Sequence, residues 1–391
     1  MTTSGTCIAI TAPTVFDGER FLQDHCVIVQ QGTITQVLPM AACPAELETL
    51  TLDSGTLAPG FIDLQVNGGG DLMLNNAPCS ATVNSIHTAH RATGTTSMLP
   101  TLLSDTPEVQ QAAVEAVREA RNNGNPGIAG IHIEGPFFEL GRRGAHSAGM
   151  IRTPQAQDVD WLCSLQDLPV MLTLAPEHTQ PGQIKQLTDG GIYVCAGHTN
   201  ARYQQIMDAV AEGLQGVTHL YNAMSPLTSR EPGTVGAALD EDGLWAGIIA
   251  DGHHVHPASI RLACAAKPEG KLVLVTDAMA TVGGHKGSFD VYGEVIRAHG
   301  GRLVNSDGAL AGSAIGMIDA VRYANHTVGL PLQKCLRMAS LHPATILNLD
   351  DTLGRIGSGY RADLVHFDQG FRVHNTWLAG QRQSHHMQQP F

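Results

Sequence analysis

The sequence predicts an α/β fold: a (β/α)8 TIM-like barrel with a small β-sandwich domain built from both chain ends. Three observations predict it. Eight short apolar runs recur through the middle of the chain, at 60–68, 96–103, from Ile128 onward, 170–178, 192–200, 216–224, 246–256 and 271–279. Helical patterns such as PEVQQAAVEAVREARNNG lie between several of them. Both ends of the chain read as strands alone. Apolar runs alternating with helices indicate parallel strands joined by crossover helices. Eight such units in about 250 residues is the usual size of a closed barrel. A doubly wound open sheet is the alternative, and the count of eight decides against it.

The elements follow in order. CIAIT, TVFDG, CVIVQ and TITQVL are short β-rich runs punctuated by Asp-Gly and Gln-Gly turns. ADLVHFD and FRVHNTWLAG read the same way at the other end. The expected organisation is therefore 1–58 and 353–391 as the two parts of the sheet domain, with 59–352 as the barrel. In a barrel the chemistry sits at the C-terminal strand ends. Here those ends carry Gln65 and Asn67, Glu134, His178, His198, His219 and Asn222, Asp251 and His254, and Asp277. The Gly-rich segment 281–312 follows the last strand. It is expected to cover the mouth, with a rim hairpin as the alternative.

Composition narrows the function. Hydrophobic residues make up 43% of the 391 and charged residues 15%, a folded rather than disordered balance. Lys and Arg number 23 against 36 Asp and Glu, a net charge of −13. Such a surface repels phosphate backbones and anionic lipids, so neither nucleic acid nor membrane is an expected partner. The start, MTTSGTCIAI, shows no basic head before an apolar run, and nowhere do about 18 apolar residues run together. Eight cysteines lie scattered without a C-x-x-C pair, which suits reduced thiols in the cytoplasm. The 19 histidines invite a search for metal ligands.

Glu134, His198 and His219 end the third, fifth and sixth predicted strands, and a closed barrel brings those ends around one mouth. Two imidazoles and one carboxylate leave an open position, the usual arrangement of a catalytic zinc site. In H-I-E-G-P, His132 points the same way as Glu134, but the carboxylate is nearer the mouth. Asp277 follows four apolar residues at the end of the eighth run. It reads either as a helix cap or as a base beside water activated by the cation. These parts fit hydrolysis of an amide, ester or cyclic amidine.

The order GFIDLQVNG, HIEGPFF, GAHSAG, LAPEH, AGHTNA, THLYNAMSP, REPG, ADGHHVH, VTDAM and LAGS resembles the N-acetylglucosamine-6-phosphate deacetylase family of the amidohydrolase superfamily. The resemblance runs through the whole barrel and into both ends. It implies hydrolysis of the acetamide of N-acetylglucosamine 6-phosphate to glucosamine 6-phosphate and acetate. By similarity, Glu134, His198 and His219 hold one divalent metal, zinc first, with iron, cobalt or manganese as alternatives. Asp277 acts as base and then acid, and His146 polarises the acetyl carbonyl beside Ala145. His254 binds the sugar. Asn222 and Ala223 lie near the phosphate, and Arg230 reaches it from a neighbouring subunit, which implies a homodimer or larger assembly. The backbone of Leu310, Ala311 and Gly312 lines the far side. Arg142 and Arg143 are read as solvated surface residues.

One feature departs from a common superfamily pattern. Gln65-x-Asn67 stands where many members have His-x-His, so a second metal site is expected to be weak or empty. The galactosamine epimer, another N-acyl substrate or a cyclic amide remain as alternative substrates. A catalytically dead scaffold is disfavoured because all the proposed ligands and the aspartate are present.

Overall fold

Eight parallel strands form where the apolar runs mark them. The computed structural model describes residues 7–306 and 308–385. The first six residues, part of the start read as lacking a signal peptide, and the last six, part of the expected C-terminal sheet segment, lie outside the described residues. The barrel strands are β1 (Phe61–Val66), β2 (Thr95–Leu103), β3 (Ile131–Glu134), β4 (Val170–Leu174), β5 (Tyr193–Ala196), β6 (Gly216–Val217), β7 (Trp245–Ile249) and β8 (Leu272–Val275). Each pairs in parallel with the next. Residues on both faces of these strands are buried, by the helices outside and by side chains inside.

The crossover helices follow local rules. The helix at Pro107–Asn122 starts on Thr106, whose hydroxyl accepts from Val109 N at 3.4 Å, with Pro107 in the first turn. Ala113, Val114, Val117 and Ala120 form its buried stripe. Gly124, at φ +90°, turns the chain away past its end.

The seam between β1 and β8 is closed partly by a side chain. Asp63 of β1 accepts from Thr276 Oγ1 at 2.5 Å and from Thr276 N at 3.2 Å. Beyond it, Asp277 N donates to Gln65 O at 3.0 Å and Asn67 N to Ala278 O at 2.9 Å. The Asp63 carboxylate thus does the work of a ladder bond directly beneath Asp277.

Both chain ends build the second domain. Cys7–Phe16, Phe21–Gln30, Thr33–Pro39, Glu48–Thr51 and Thr56–Pro59 share one hydrogen-bonded sheet with Leu364–Phe367, Val373–Leu378 and Gln381–Ser384. The two ends join where Thr56–Pro59 pairs antiparallel with Leu364–Phe367. Val27, Leu57, Leu364 and Trp377 lie in the core of this domain.

Segment 281–312 is a rim meander. Its strands Ser288–Val291, Glu294–His299 and Arg302–Val304 pack Val291, Ile296 and Leu303 against Met73, Leu103 and Met279 of the barrel mouth. Tyr292 Oη donates to Ser104 O at 2.5 Å. The glycine-rich composition suggested a cover with a rim hairpin as the alternative, and the meander packs its apolar side onto the barrel mouth.

Burial pushes the Asp63 carboxyl up to about 7, against bonds from Thr276 and Gln65 that lower it. Its folded value therefore exceeds an unfolded value of about 4. The folded state holds the extra proton, so stability from this site is present at low pH and lost as pH rises from about 4 through 7. Asp63→Asn keeps an acceptor and is expected to flatten that slope in urea unfolding. Asp63→Ala leaves the Thr276 and Gln65 donors unpaired and is expected to cost about 3 kcal/mol.

Candidate active site

Three strand ends deliver three ligand atoms to one point. Glu134 closes β3, while His198 and His219 stand two residues beyond β5 and β6. His219 Nε2 lies 3.1 Å from Glu134 Oε1 and 3.0 Å from His198 Nε2, and His198 Nε2 lies 3.5 Å from the same oxygen. All three residues are buried. His198 and His219 have φ of +48° and +31°, and Asp277 has +51°. A left-handed backbone costs a non-glycine residue about 1–3 kcal/mol and turns its side chain sharply off the strand direction, here toward the mouth.

The protonation pattern suits a cation. His198 Nδ1 lies 2.9 Å from Arg142 O and can only donate to it, so a neutral His198 aims the Nε2 lone pair at the centre. Burial lowers its imidazole. Burial would raise the Glu134 carboxyl, but bonds to His198 and His219 outweigh that and hold it well below the usual range. His219 is lowered by burial and raised by Glu134, with a net rise. Without a cation these groups share protons. Once His219 gives up its proton, three lone pairs face one point, which fits a divalent metal.

Asp277 lies beside this cluster. Asn67 Nδ2 donates to its Oδ1 at 2.7 Å and Gln65 Nε2 at 3.3 Å, while Gln65 Nε2 also reaches Glu134 Oε1 at 2.7 Å. Both amides land on Oδ1, so among the described residues Oδ2 has no donor. Burial, then the Glu134 charge, pushes the Asp277 carboxyl up to about 6. Gln65 and Asn67 therefore spend their N–H groups on carboxylates.

His146 has a fixed tautomer. Ser104 N donates to its Nδ1 at 3.1 Å, and burial keeps the ring neutral, so the proton sits on Nε2. Nε2 lies 3.9 Å from Glu134 Oε2 and is a donor at the cluster's edge. His132 does not join the cluster. Its nitrogens lie 3.2 Å from Thr101 Oγ1 and 2.7 Å from Thr173 Oγ1, and burial lowers it to about 4.

Glu134, His198, His219, Asn67 and Asp277 line one cavity of about 300 Å³, with Ala145, His146, Asn222, Ala223, His254, Leu310 and Gly312 around it. His254 Nδ1 donates to Asp251 Oδ2 at 2.6 Å, which turns its Nε2 edge outward. Ala311 packs into the meander core, and its N–H is given to Leu303 O. Arg230 is exposed and outside the cavity lining.

The two loop arginines differ. Arg142 lines the cavity instead of lying free in solvent, because its carbonyl is drawn inward to His198 Nδ1. Arg143 remains exposed, with Nη1 donating to His146 O at 2.9 Å. Glu177 grips the loop after β5, accepting from Thr199 Oγ1 and Asn200 N, both at 2.5 Å. His256 caps the helix at Pro257–Ala266, as a rim residue would.

A family model described as the Amidohydrolase family matches residues 56–382, and one described as the NagA composite domain matches 8–57. The chain belongs to the amidohydrolase family. Within it, the chain is 44% identical to an N-acetylgalactosamine-6-phosphate deacetylase from Shewanella sp. (strain ANA-3), over 92% of both chains. It is 34% identical to an N-acetylglucosamine-6-phosphate deacetylase from Haemophilus influenzae, covering 92% of this chain and 94% of that one. The structure of N-acetylglucosamine-6-phosphate deacetylase from Pasteurella multocida superposes with a TM-score of 0.94 at 35% identity, covering 97% of this chain and all of that one. Amidohydrolases use a metal to hydrolyse amides, and the Glu134–His198–His219 cluster is the possible metal site of this one.

Elemental analysis is the direct check on that cluster. One divalent ion per chain is expected in the native protein and almost none in His198→Ala. Two ions per chain would mean a second site, at Gln65 and Asn67 or at the Glu139–Glu177–His178 group.

Proposed function

We propose that this amidohydrolase removes the acetyl group from N-acetylglucosamine 6-phosphate, giving glucosamine 6-phosphate and acetate in amino-sugar metabolism. The supporting observation is one cavity that gathers a cation cluster, a carboxylate with one open oxygen and a neutral histidine donor. A galactosamine reading also has a specific support, the 44% relative that acts on the galacto epimer.

Glu134, His198 and His219 would hold the cation. When bound, a divalent metal, zinc first, polarises a carbonyl and makes water more acidic. Asp277 Oδ2 takes a proton from water as its oxygen bonds to the acetyl carbon. His146 Nε2–H donates to the acetyl oxygen as that oxygen gains charge. Asp277 then gives the proton to the nitrogen as the C–N bond breaks. Gln65 and Asn67 hold Asp277 in place throughout. His254, oriented by Asp251, binds the sugar. Asn222 and the Ala223 N–H face the phosphate, and the Leu310–Gly312 stretch closes the opposite wall.

Arg230 lies on an exposed loop away from its own cavity, which suits delivery into a second copy. The active form would then be a dimer or larger. No helix among the described residues is long and apolar enough to cross a membrane, and the eight cysteines are unpaired, which suits a reducing cytoplasm.

The test is acetate release from the gluco and galacto 6-phosphates and from unphosphorylated N-acetylglucosamine. Faster turnover of the gluco 6-phosphate supports the first reading, and faster turnover of the galacto form supports the second. Equal rates with and without phosphate would sink both. Asp277→Asn should retain metal and lose about 10²–10⁴-fold in kcat. Since the base must be ionised, kcat/KM should fall on the acid side, and a cation bound to Glu134 offsets the charge that raises Asp277, which places that limb below about 6. Asn67→Ala removes a bond that lowers the Asp277 carboxyl, so that limb should move to higher pH.

A further inference from the structure

We infer that Arg142 is a specificity-determining residue that contacts the substrate phosphate from within the same chain. The inference rests on the sugar-phosphate reading above and adds to it a residue which that reading leaves unused. Among the described residues lining the cavity, Arg142 is the one Lys or Arg. The other ionisable groups there include the buried Glu134 and the half-buried Asp277, both acids. A phosphate monoester carries up to two negative charges at neutral pH, so entering such a cavity requires a cation close by.

The side chain is prepared for that role. Arg142 Nε and Nη2 donate to a single neutral oxygen, Asn200 Oδ1, at 3.4 and 3.2 Å. No carboxylate among the described residues lies within ion-pair distance of it. The nearby acid, Glu139, is occupied by His178 Nε2 at 2.8 Å and Gly141 N at 3.1 Å. The guanidinium is therefore held in place with no direct ion pair of its own, although its charge also acts on the nearby Glu139. Nη1 has no acceptor among the described residues, so part of the planar fork is open to phosphate oxygens.

Its location matches the proposed phosphate end. Asn200, which holds the fork, follows Thr199. Thr199 N donates to Ala223 O at 3.1 Å, and Thr199 pairs with Met224. The guanidinium thus stands on the strip of rim that carries Asn222 and Ala223. Arg230, by contrast, lies outside this chain's cavity lining. The phosphate would then meet a cation from its own chain as well as one from the neighbour.

The experiment compares kcat and KM of the native protein, Arg142→Gln, Arg142→Lys and Arg230→Gln on N-acetylglucosamine 6-phosphate, its galacto epimer and unphosphorylated N-acetylglucosamine. Metal content and inhibition by inorganic phosphate are measured on each. In Arg142→Gln, KM for the phosphorylated sugars is expected to rise about tenfold or more, the preference over the unphosphorylated sugar to collapse by a similar factor, and phosphate inhibition to weaken. Arg142→Lys should fall between, because it keeps charge but not the fork. Retention of the native phosphate preference in Arg142→Gln overturns the inference and leaves the sugar-phosphate reading intact. An equal loss on all substrates with loss of metal also overturns it, since Arg142 would then act only through its carbonyl on His198. A native protein indifferent to the phosphate overturns the reading itself, and the inference with it.

Discussion

A carboxylate buried at a strand end is unstable on its own, and the way Glu134 is compensated organises everything around it. Burying an ionised carboxylate without partners costs several kcal/mol. Here His198 and His219 approach the same oxygen, and Gln65 donates to it as well. Holding two imidazoles nose to nose at 3.0 Å needs outside support. Arg142 O supplies it for His198, and left-handed backbone at both histidines supplies the angle. A divalent cation at this point would relieve the crowding that the protein alone must tolerate.

The pair Gln65 and Asn67 solves a second electrostatic problem. Two acids, Glu134 and Asp277, line the same cavity and repel each other. Histidines at these two positions would offer lone pairs to a second cation. This chain uses amide N–H groups instead, neutral donors that orient both carboxylates. The result is a carboxylate whose Oδ1 is fixed and whose Oδ2 has no donor among the described residues. Beneath it, Asp63 ties Thr276 to β1, so the β1–β8 seam that closes the barrel also locates Asp277.

Charge is distributed unevenly. The chain carries −13 overall, and its cavity is walled by acids, yet the reading requires it to admit a phosphate. A cation at the rim reconciles the two: Arg142, held by a neutral amide. An acidic exterior then discourages polyanions while a local cationic rim accepts a small phosphorylated sugar.

Much of this was legible in the chain itself. Apolar runs with intervening helical periodicity gave eight strands in place, even β6, which has only two ladder residues, because burial on both faces leaves a strong hydrophobic signature. The strand-end positions of Glu134, His198, His219 and Asp277 were equally visible. What the sequence could not carry was orientation. The tautomer of His146 depends on Ser104 N, forty-two residues away, and the sparing of Asp277 Oδ2 depends on two amides more than 200 residues distant. Arg142 read as solvent-facing because a loop arginine has no periodicity to betray it; a backbone carbonyl pulled inward by His198 placed it at the cavity. Composition and pattern act through local, additive preferences, and so they determined the elements and the chemical types at their ends. Hydrogen-bond direction between distant segments is set only once the barrel closes, and that closure decided which atoms face the reaction.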